Sequence, residues 1–165
     1  MPCILKIRIE AARGLPIIDR TSELADAYVE VRFGELGVQR TRVCRKTLDP
    51  VWKQDFRLEV GDDTLLQDEP LELKVFDYDA VTADDAVGTV MIDLNPLLSP
   101  DAPNQMAGWF PIYDTIRGAR GELFVQVKVD FFENINPFRD SSAGVHFFSS
   151  NRIPYPYKVQ SSTGC

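Results

Sequence analysis

Long apolar runs are missing from this 165-residue chain: no stretch approaches the ~18 residues that would carry a helix across a bilayer. The opening segment, residues 1–10, sets a charge at every second position of its apolar part, which excludes a secretory signal core. Histidine occurs once, as His146, and G-x-S-x-G, P-loop and H-E-x-x-H motifs are absent. The nucleophilic, phosphate-cradling and zinc-hydrolase chemistries that those motifs carry therefore have no footing, and no enzymatic activity is expected. Cysteine is limited to Cys3, Cys44 and Cys165, an odd and widely spaced set with no C-x-x-C. Neither a disulfide framework nor a zinc site is indicated, and a reducing, cytoplasmic compartment is expected. Positive charge is in deficit: 18 Lys and Arg against 25 Asp and Glu leave a formal charge of −7. That balance, without a zinc-finger or RNA-binding signature, argues against nucleic acid as a partner.

What is present is alternation with a period of two. Leu5, Ile7 and Ile9 interleave with Lys6, Arg8 and Glu10, as do Val29, Val31 and Phe33 with Tyr28, Glu30 and Arg32. Thr41 and Val43 lie between Arg40, Arg42 and Cys44; Phe56, Leu58 and Val60 and then Leu71, Leu73 and Val75 repeat the pattern. Further strands are expected at 87–94, 109–112 and 122–130. Successive side chains of a strand face opposite ways, so each alternating segment has one buried and one wet face. Eight short strands punctuated by Gly-, Pro- and Asp-rich turns predict an all-β, eight-stranded antiparallel β-sandwich. Helical turns are expected only near 62–68 and 94–98. The pattern stops after Phe132, which divides the chain into a folded domain over 1–132 and, over 133–165, a linker leading into the incomplete start of a following domain. On that reading the chain is the N-terminal part of a longer protein.

Acidic residues crowd two inter-strand loops, 15–29 and 75–88. If both loops lie at one end of the sandwich, Asp19, Asp26, Asp77, Asp79 and Asp85 converge. Unit charges ~4 Å apart repel by about 4 kcal/mol at an effective dielectric near 20, so such a group calls for a counter-ion or for protons. Oxygen-only donors on irregular loops suit calcium, which accepts 6–8 ligands in flexible geometry, better than magnesium. The bland alternative is a pair of solvated Asp turns.

These two loops resemble the calcium-binding loops of C2 domains. The first family loop reads roughly L-P-x-x-D followed by D-x-Y-V, and the third reads D-x-D followed by D-x-x-G. Asp77, Asp79, Asp85 and Gly88 stand at the spacing of the third, while the gap between Asp19 and Asp26 is one residue longer than the family's. The block at 45–52 is similar to the family's K-T-L-N-P-x-W turn, with Asp49 for Asn, and is read as structural with Trp52 in the core. The chain enters the first calcium loop directly from its first strand and closes the sandwich at 121–129, which resembles the circularly permuted type II form. The segments 108–118 and 137–148 further resemble a longer C2-containing trafficking phosphoprotein.

The resemblance implies side-chain ligation of calcium by Asp19, Asp26, Asp77, Asp79 and Asp85, a hydroxyl ligand at Thr82, and backbone carbonyl ligands at Arg20 and Tyr78. It also implies recruitment to anionic cytosolic membranes, at the plasma membrane or on vesicles, in vesicle trafficking or fusion. Phosphatidylserine is the expected lipid, with Arg20, Leu24 and Val81 meeting the bilayer. Leu24 and Val81 have the alternative of merely capping their loops. Tyr28, Arg32, Arg40 and Arg42 occupy places where some C2 domains bind phosphoinositides. Their competing reading is a solvated cross-strand face with Glu30 paired to an arginine. A calcium-independent protein-interaction module is the rival function, with protein partners held by the tail or by a region beyond it.

Overall fold

The computed structural model describes residues 2–18, 23–99, 101 and 103–132. Within them lie eight antiparallel strands: β1 (Cys3–Arg13), β2 (Ala27–Phe33), β3 (Gln39–Arg40), β4 (Val51–Val60), β5 (Leu71–Asp77), β6 (Asp85–Ile92), β7 (Gln105–Asp114) and β8 (Gly118–Phe131). They run in the spatial order β3-β2-β5-β6-β7-β8-β1-β4. Seven residue pairs join β2 to β5, whereas β6 meets β7 at the single pair Thr89↔Tyr113. That seam is the corner at which the ladder turns over, so β3-β2-β5-β6 and β7-β8-β1-β4 form the two leaves of the expected sandwich, in the type II order.

Alternation explains the core. Leu5, Ile7 and Ile9 pair with Val129, Val127 and Val125 across β1 and β8, and all six are essentially sealed from solvent. Val29, Val31 and Phe33 do the same opposite Val75, Leu73 and Leu71. Trp52 is fully buried, as the turn before it implies. The register shift between Ile9 and Ala11 turns both Ala11 and Ala12 inward at the end of β1. Only two short helical turns occur among the described residues, α1 (Leu65–Asp68) and a 3-10 turn (Asn95–Leu97), both at places where the sequence leads one to expect them.

One strand departs from the expectation. The alternation through 40–44 predicts a continuing ladder, yet β3 ends at Arg40, and Cys44 touches β2 only through an isolated bridge to Ala27. The Thr41 hydroxyl takes over one ladder position: it accepts the Val29 N–H at 3.0 Å and donates to the Arg42 carbonyl at 2.9 Å, while the Thr41 N–H still donates to the Val29 carbonyl at 2.9 Å.

On the outer face, Asp130 joins Lys6 at 2.6 Å and Lys128 at 3.4 Å. Burial alone would raise the Asp130 pKa, but the Lys6 hydrogen bond and the Lys128 charge outweigh it and hold it below the usual value. A depressed carboxylate stabilises the fold above its unfolded pKa of ~3.9 and loses that contribution as pH falls through its folded value. Asp130→Asn is therefore expected to cost ~0.5–1 kcal/mol in neutral urea melts, with the difference starting to shrink below pH ~4 and gone once pH has passed the depressed folded value.

The Cys3 and Cys44 thiols are both buried, and burial pushes the Cys3 thiol up to about 11, so it stays protonated and inert. No helix among the described residues is long and apolar enough to cross a membrane. The tail, 133–165, with its proposed domain start, lies outside the described residues.

Candidate functional site

The inward stripe of β5 runs Leu71, Leu73, Val75 and then Asp77. Strand parity therefore places a carboxylate where the next core residue would stand, at the rim of the sandwich, and leaves it only 7% exposed. Asp77 faces Asp85 in the β5–β6 register and Ala27 in the β2–β5 register, with Asp26 one residue before Ala27. The loops are cross-tied there. Asp77 Oδ1 accepts the Asp26 N–H at 2.8 Å, the Tyr78 N–H donates to the Asp26 carbonyl at 2.8 Å, and Asp26 Oδ1 accepts the Lys46 N–H at 2.8 Å. Asp26, Asp77, Asp79 and Asp85 thus line one cleft of about 200 Å³ together with Leu24, Arg45, Tyr78 and Ala80.

Four of the five expected carboxylates share this cleft; the fifth, Asp19, and Arg20 beside it lie outside the described residues. The donors are all oxygens on irregular backbone, a set that fits a calcium ion in chemistry. Among the described residues no three acidic side chains are drawn tightly enough together to hold a metal by themselves. Local hydrogen bonds account for this spread. Asp79 Oδ1 accepts the N–H groups of Val81 at 2.8 Å and Thr82 at 3.1 Å, and its Oδ2 accepts the Thr82 hydroxyl at 2.8 Å. The Val81 N–H, then the Thr82 hydroxyl and N–H, hold Asp79 below the usual carboxylate range. The Thr82 hydroxyl thus lies directly against a carboxylate of the cleft.

Two residues of the site are not legible in the sequence. Asp84, adjacent to the expected ligand Asp85, accepts the Tyr28 hydroxyl through Oδ2 and the Asp79 N–H through Oδ1 at 2.9 Å. Arg45, which the sequence assigns to a structural turn, sets its guanidinium 5.3 Å from the Tyr78 ring centroid and brings a positive charge to the acidic cleft. The D-x-x-G spacing to Gly88 singles out Asp85 but gives Asp84 no role. The strand pairing agrees, assigning Asp85 to β6.

The arginine cluster is not assembled as a shared array. Arg32 donates to Glu30 at 2.6 Å, matching the solvated-face alternative. Arg42 turns to β4, donating to the Trp52 carbonyl, while its N–H reaches Gln54 at 3.0 Å. Arg40 alone stays over Tyr28, 4.9 Å from the ring centroid. Tyr28 is buried, stacked on Phe76 at 5.4 Å and committed to Asp84. It acts as a clamp between β2 and the 78–84 loop.

Burial, followed by the hydrogen bond to Asp84, pushes the Tyr28 pKa up to about 12 from its ordinary 10. A raised tyrosine pKa contributes stability that is intact below pH ~10 and is lost as pH climbs through the folded value. Tyr28 is expected to ionise late in an ultraviolet titration, and Tyr28→Phe is expected to delete that step. The same substitution should destabilise by ~1 kcal/mol through the lost hydrogen bond.

Comparison with known proteins decides the family. Residues 3–112 match the family model described as the C2 domain. The chain belongs to the C2 family. C2 domain-containing protein 5 of Xenopus tropicalis and that of Homo sapiens are each 52% identical to it over 160 residues, 96% of this chain and 16% of theirs. The chain therefore spans about a sixth of the length of these curated relatives. Among solved structures, a C2 domain of plant extended synaptotagmin 1 superposes with a TM-score of 0.64 at 25% identity, covering 78% of this chain and 95% of that one. Human GIVD cytosolic phospholipase A2 gives a TM-score of 0.64 at 27% identity, covering 79% of this chain and 17% of its own. The C2 fold thus also occurs as a small part of an enzyme chain.

Proposed function

We propose that this C2 domain is a calcium-dependent module that attaches its parent protein to anionic cytosolic membranes. The observation that carries the reading is the cleft that Asp26, Asp77, Asp79 and Asp85, drawn from two segments far apart in sequence, line together with Arg45. Asp26, Asp77, Asp79 and Asp85 would hold calcium, joined by Asp19, the Thr82 hydroxyl and the carbonyls of Arg20 and Tyr78. When bound, calcium supplies charge neutralisation and open coordination positions for lipid phosphate and serine carboxylate.

The protein's own residues do the rest. The ligand aspartates account for five of the seven excess negative charges, so an empty loop pole is repelled by an anionic leaflet. Arg45 lines the cleft and, with Arg20, would meet head groups, while Leu24 and Val81 would enter the bilayer. Val81 is 91% exposed and Leu24 37%. If both are wholly buried they contribute ~2–4 kcal/mol, so charge dominates and binding weakens steeply as salt rises.

Vesicles containing phosphatidylserine should retain the domain with calcium and release it with chelator; equal retention in both would overturn the proposal. Phosphoinositide recognition has less support, because Arg32 and Arg42 already have protein partners. Arg40→Ala with Arg42→Ala is expected to change binding to phosphoinositide vesicles by less than about twofold, since exposed charges contribute little singly.

Resemblance to a C2-containing phosphoprotein of insulin-stimulated glucose-transporter trafficking, and similarity to C2 domain-containing protein 5, support a role in vesicle traffic at the plasma membrane. A calcium-independent protein-interaction module is the second reading, favoured by the engagement of Asp79 within its own loop. Calorimetry separates the two, because only the first reading gives heat on adding calcium.

A further inference from the structure

Ile116 is 91% exposed, equal to Val81, while the other exposed large apolar side chains among the described residues reach 57% at most. Strand register puts both at the same pole. Asp85 opens β6 opposite Asp77, and Thr89, four residues further down β6, pairs with Tyr113. Because β7 runs antiparallel to β6, residues 114–117 climb from Tyr113 back toward the level of Asp85. The Arg120 guanidinium agrees with that juxtaposition, donating to the Val87 carbonyl at 3.1 Å.

The two tips are built alike. Asp79 Oδ1 accepts the N–H of Val81, two residues on, at 2.8 Å, and Asp114 Oδ1 accepts the N–H of Ile116, two residues on, at 2.8 Å. Asp114 pairs with Gly118 across a three-residue loop closed by the left-handed φ of Gly118, +81°, a compact hairpin that presents Ile116 outward with little freedom to lose. Beside it Arg117 is 62% exposed and held to Asp114 only by a 3.4 Å surface pair, leaving its guanidinium available to a phosphate.

We infer that the β7–β8 hairpin is a further membrane-insertion element, with Ile116 entering the acyl boundary and Arg117 contacting anionic head groups alongside the acidic loops. This inference rests on the lipid-binding reading above and adds a contact that the two acidic loops do not supply. A lipid surface is the fitting occupant because the apolar points are single aliphatic tips on separate loops of one pole, bordered by arginine, and form no continuous groove.

Partitioning onto phosphatidylserine–phosphatidylcholine vesicles in calcium tests it. Ile116→Asp and Val81→Asp are each expected to weaken binding about tenfold, a loss set by one aliphatic side chain. The loss in Ile116→Asp should persist at high salt, whereas that in Arg117→Ala should fade. Ile116→Trp should give a blue-shifted emission on adding vesicles with calcium and none with chelator. Circular dichroism should match wild type throughout, since the Ile116 side chain is almost wholly in solvent. If wild type and Val81→Asp differ while Ile116→Asp binds like wild type and Ile116→Trp shows no shift, the hairpin inference fails alone. If wild type ignores the vesicles, the lipid-binding reading fails and the hairpin proposal with it.

Discussion

Asp77→Asn combined with Asp79→Asn is expected to weaken calcium binding more than about a hundredfold and to abolish calcium-dependent vesicle association, with the melting temperature nearly unchanged. A hundredfold loss corresponds to ~2.8 kcal/mol. A single unit-charge interaction at ~4 Å already contributes about 4 kcal/mol at a dielectric near 20, so removing two carboxylates beside a divalent ion exceeds that mark. The fold should tolerate the change because asparagine keeps an oxygen acceptor. It can still take the Asp26 N–H at position 77 and the Val81 and Thr82 N–H groups at position 79. Calorimetry and vesicle sedimentation check the two halves of the expectation. A modest rise in calcium-free attachment should accompany the loss, since two negative charges have left the face proposed to meet the leaflet. Calcium-linked heat surviving in the double variant would remove the cleft from consideration as the ion site.

Gly121→Ala is the second change with a large expected effect, and it acts on stability. Gly121 holds φ at +92°, and a Cβ there would lie 2.6 Å from the Arg13 carbonyl oxygen and 2.8 Å from that of Gly14. Backbone atoms cannot step aside as a flexible side chain would, so β1 and β8 must separate where the chain leaves for the first acidic loop. Conformational strain of ~1–3 kcal/mol adds to the overpacking cost of ~1–3 kcal/mol, and a loss near ~4 kcal/mol is expected. At ~2–4 °C per kcal/mol for a chain of this size, the melting temperature should fall by roughly 8–16 °C. Gly118→Ala is the internal control. Its φ is also left-handed, but a Cβ there meets nothing within 4 Å, so only the strain is felt and the drop should be about a third as large. Equal melting temperatures for the two variants would show that the β1–β8 crossing is looser than the close approach implies.

Most of the sandwich is readable without coordinates because period-two patterning and burial are two descriptions of one fact. The stripes Leu5–Ile7–Ile9 and Leu71–Leu73–Val75 face inward as their alternation requires. What cannot be read is where local hydrogen bonding defeats the pattern. Thr41 looks like another strand residue until its hydroxyl is found occupying the Val29 N–H. The same holds in the cleft. Spacing places Asp77 and Asp85 on facing strands, but it does not encode the diversion of Asp84 to Tyr28 or the turn that occupies Asp79. Arg45 is a third case, since its arrival beside Asp77 depends on how the 41–50 segment crosses the pole, and no pairwise spacing encodes that path.

Gly88 shows the converse, a family position whose physical reason the fold supplies. A Cβ there would meet Ile112 Cγ2 at 2.8 Å and the Tyr113 backbone at 3.1 Å, beside the lone β6–β7 pair. The seam closes only because nothing projects from β6 at that point.

The pairing of Cys3 with Phe131 sets the start of β1 beside the end of β8, at the pole away from Asp77 and Asp85. A fusion joined at that edge would therefore sit away from a bilayer that the acidic loops touched. The module is thereby mounted like a plug whose cable leaves from the back: cargo of any bulk can trail behind it without shadowing the prongs. A bulky fluorescent protein fused after residue 132 should accordingly leave vesicle attachment intact, whereas the same fusion inserted in the 115–117 turn should block it.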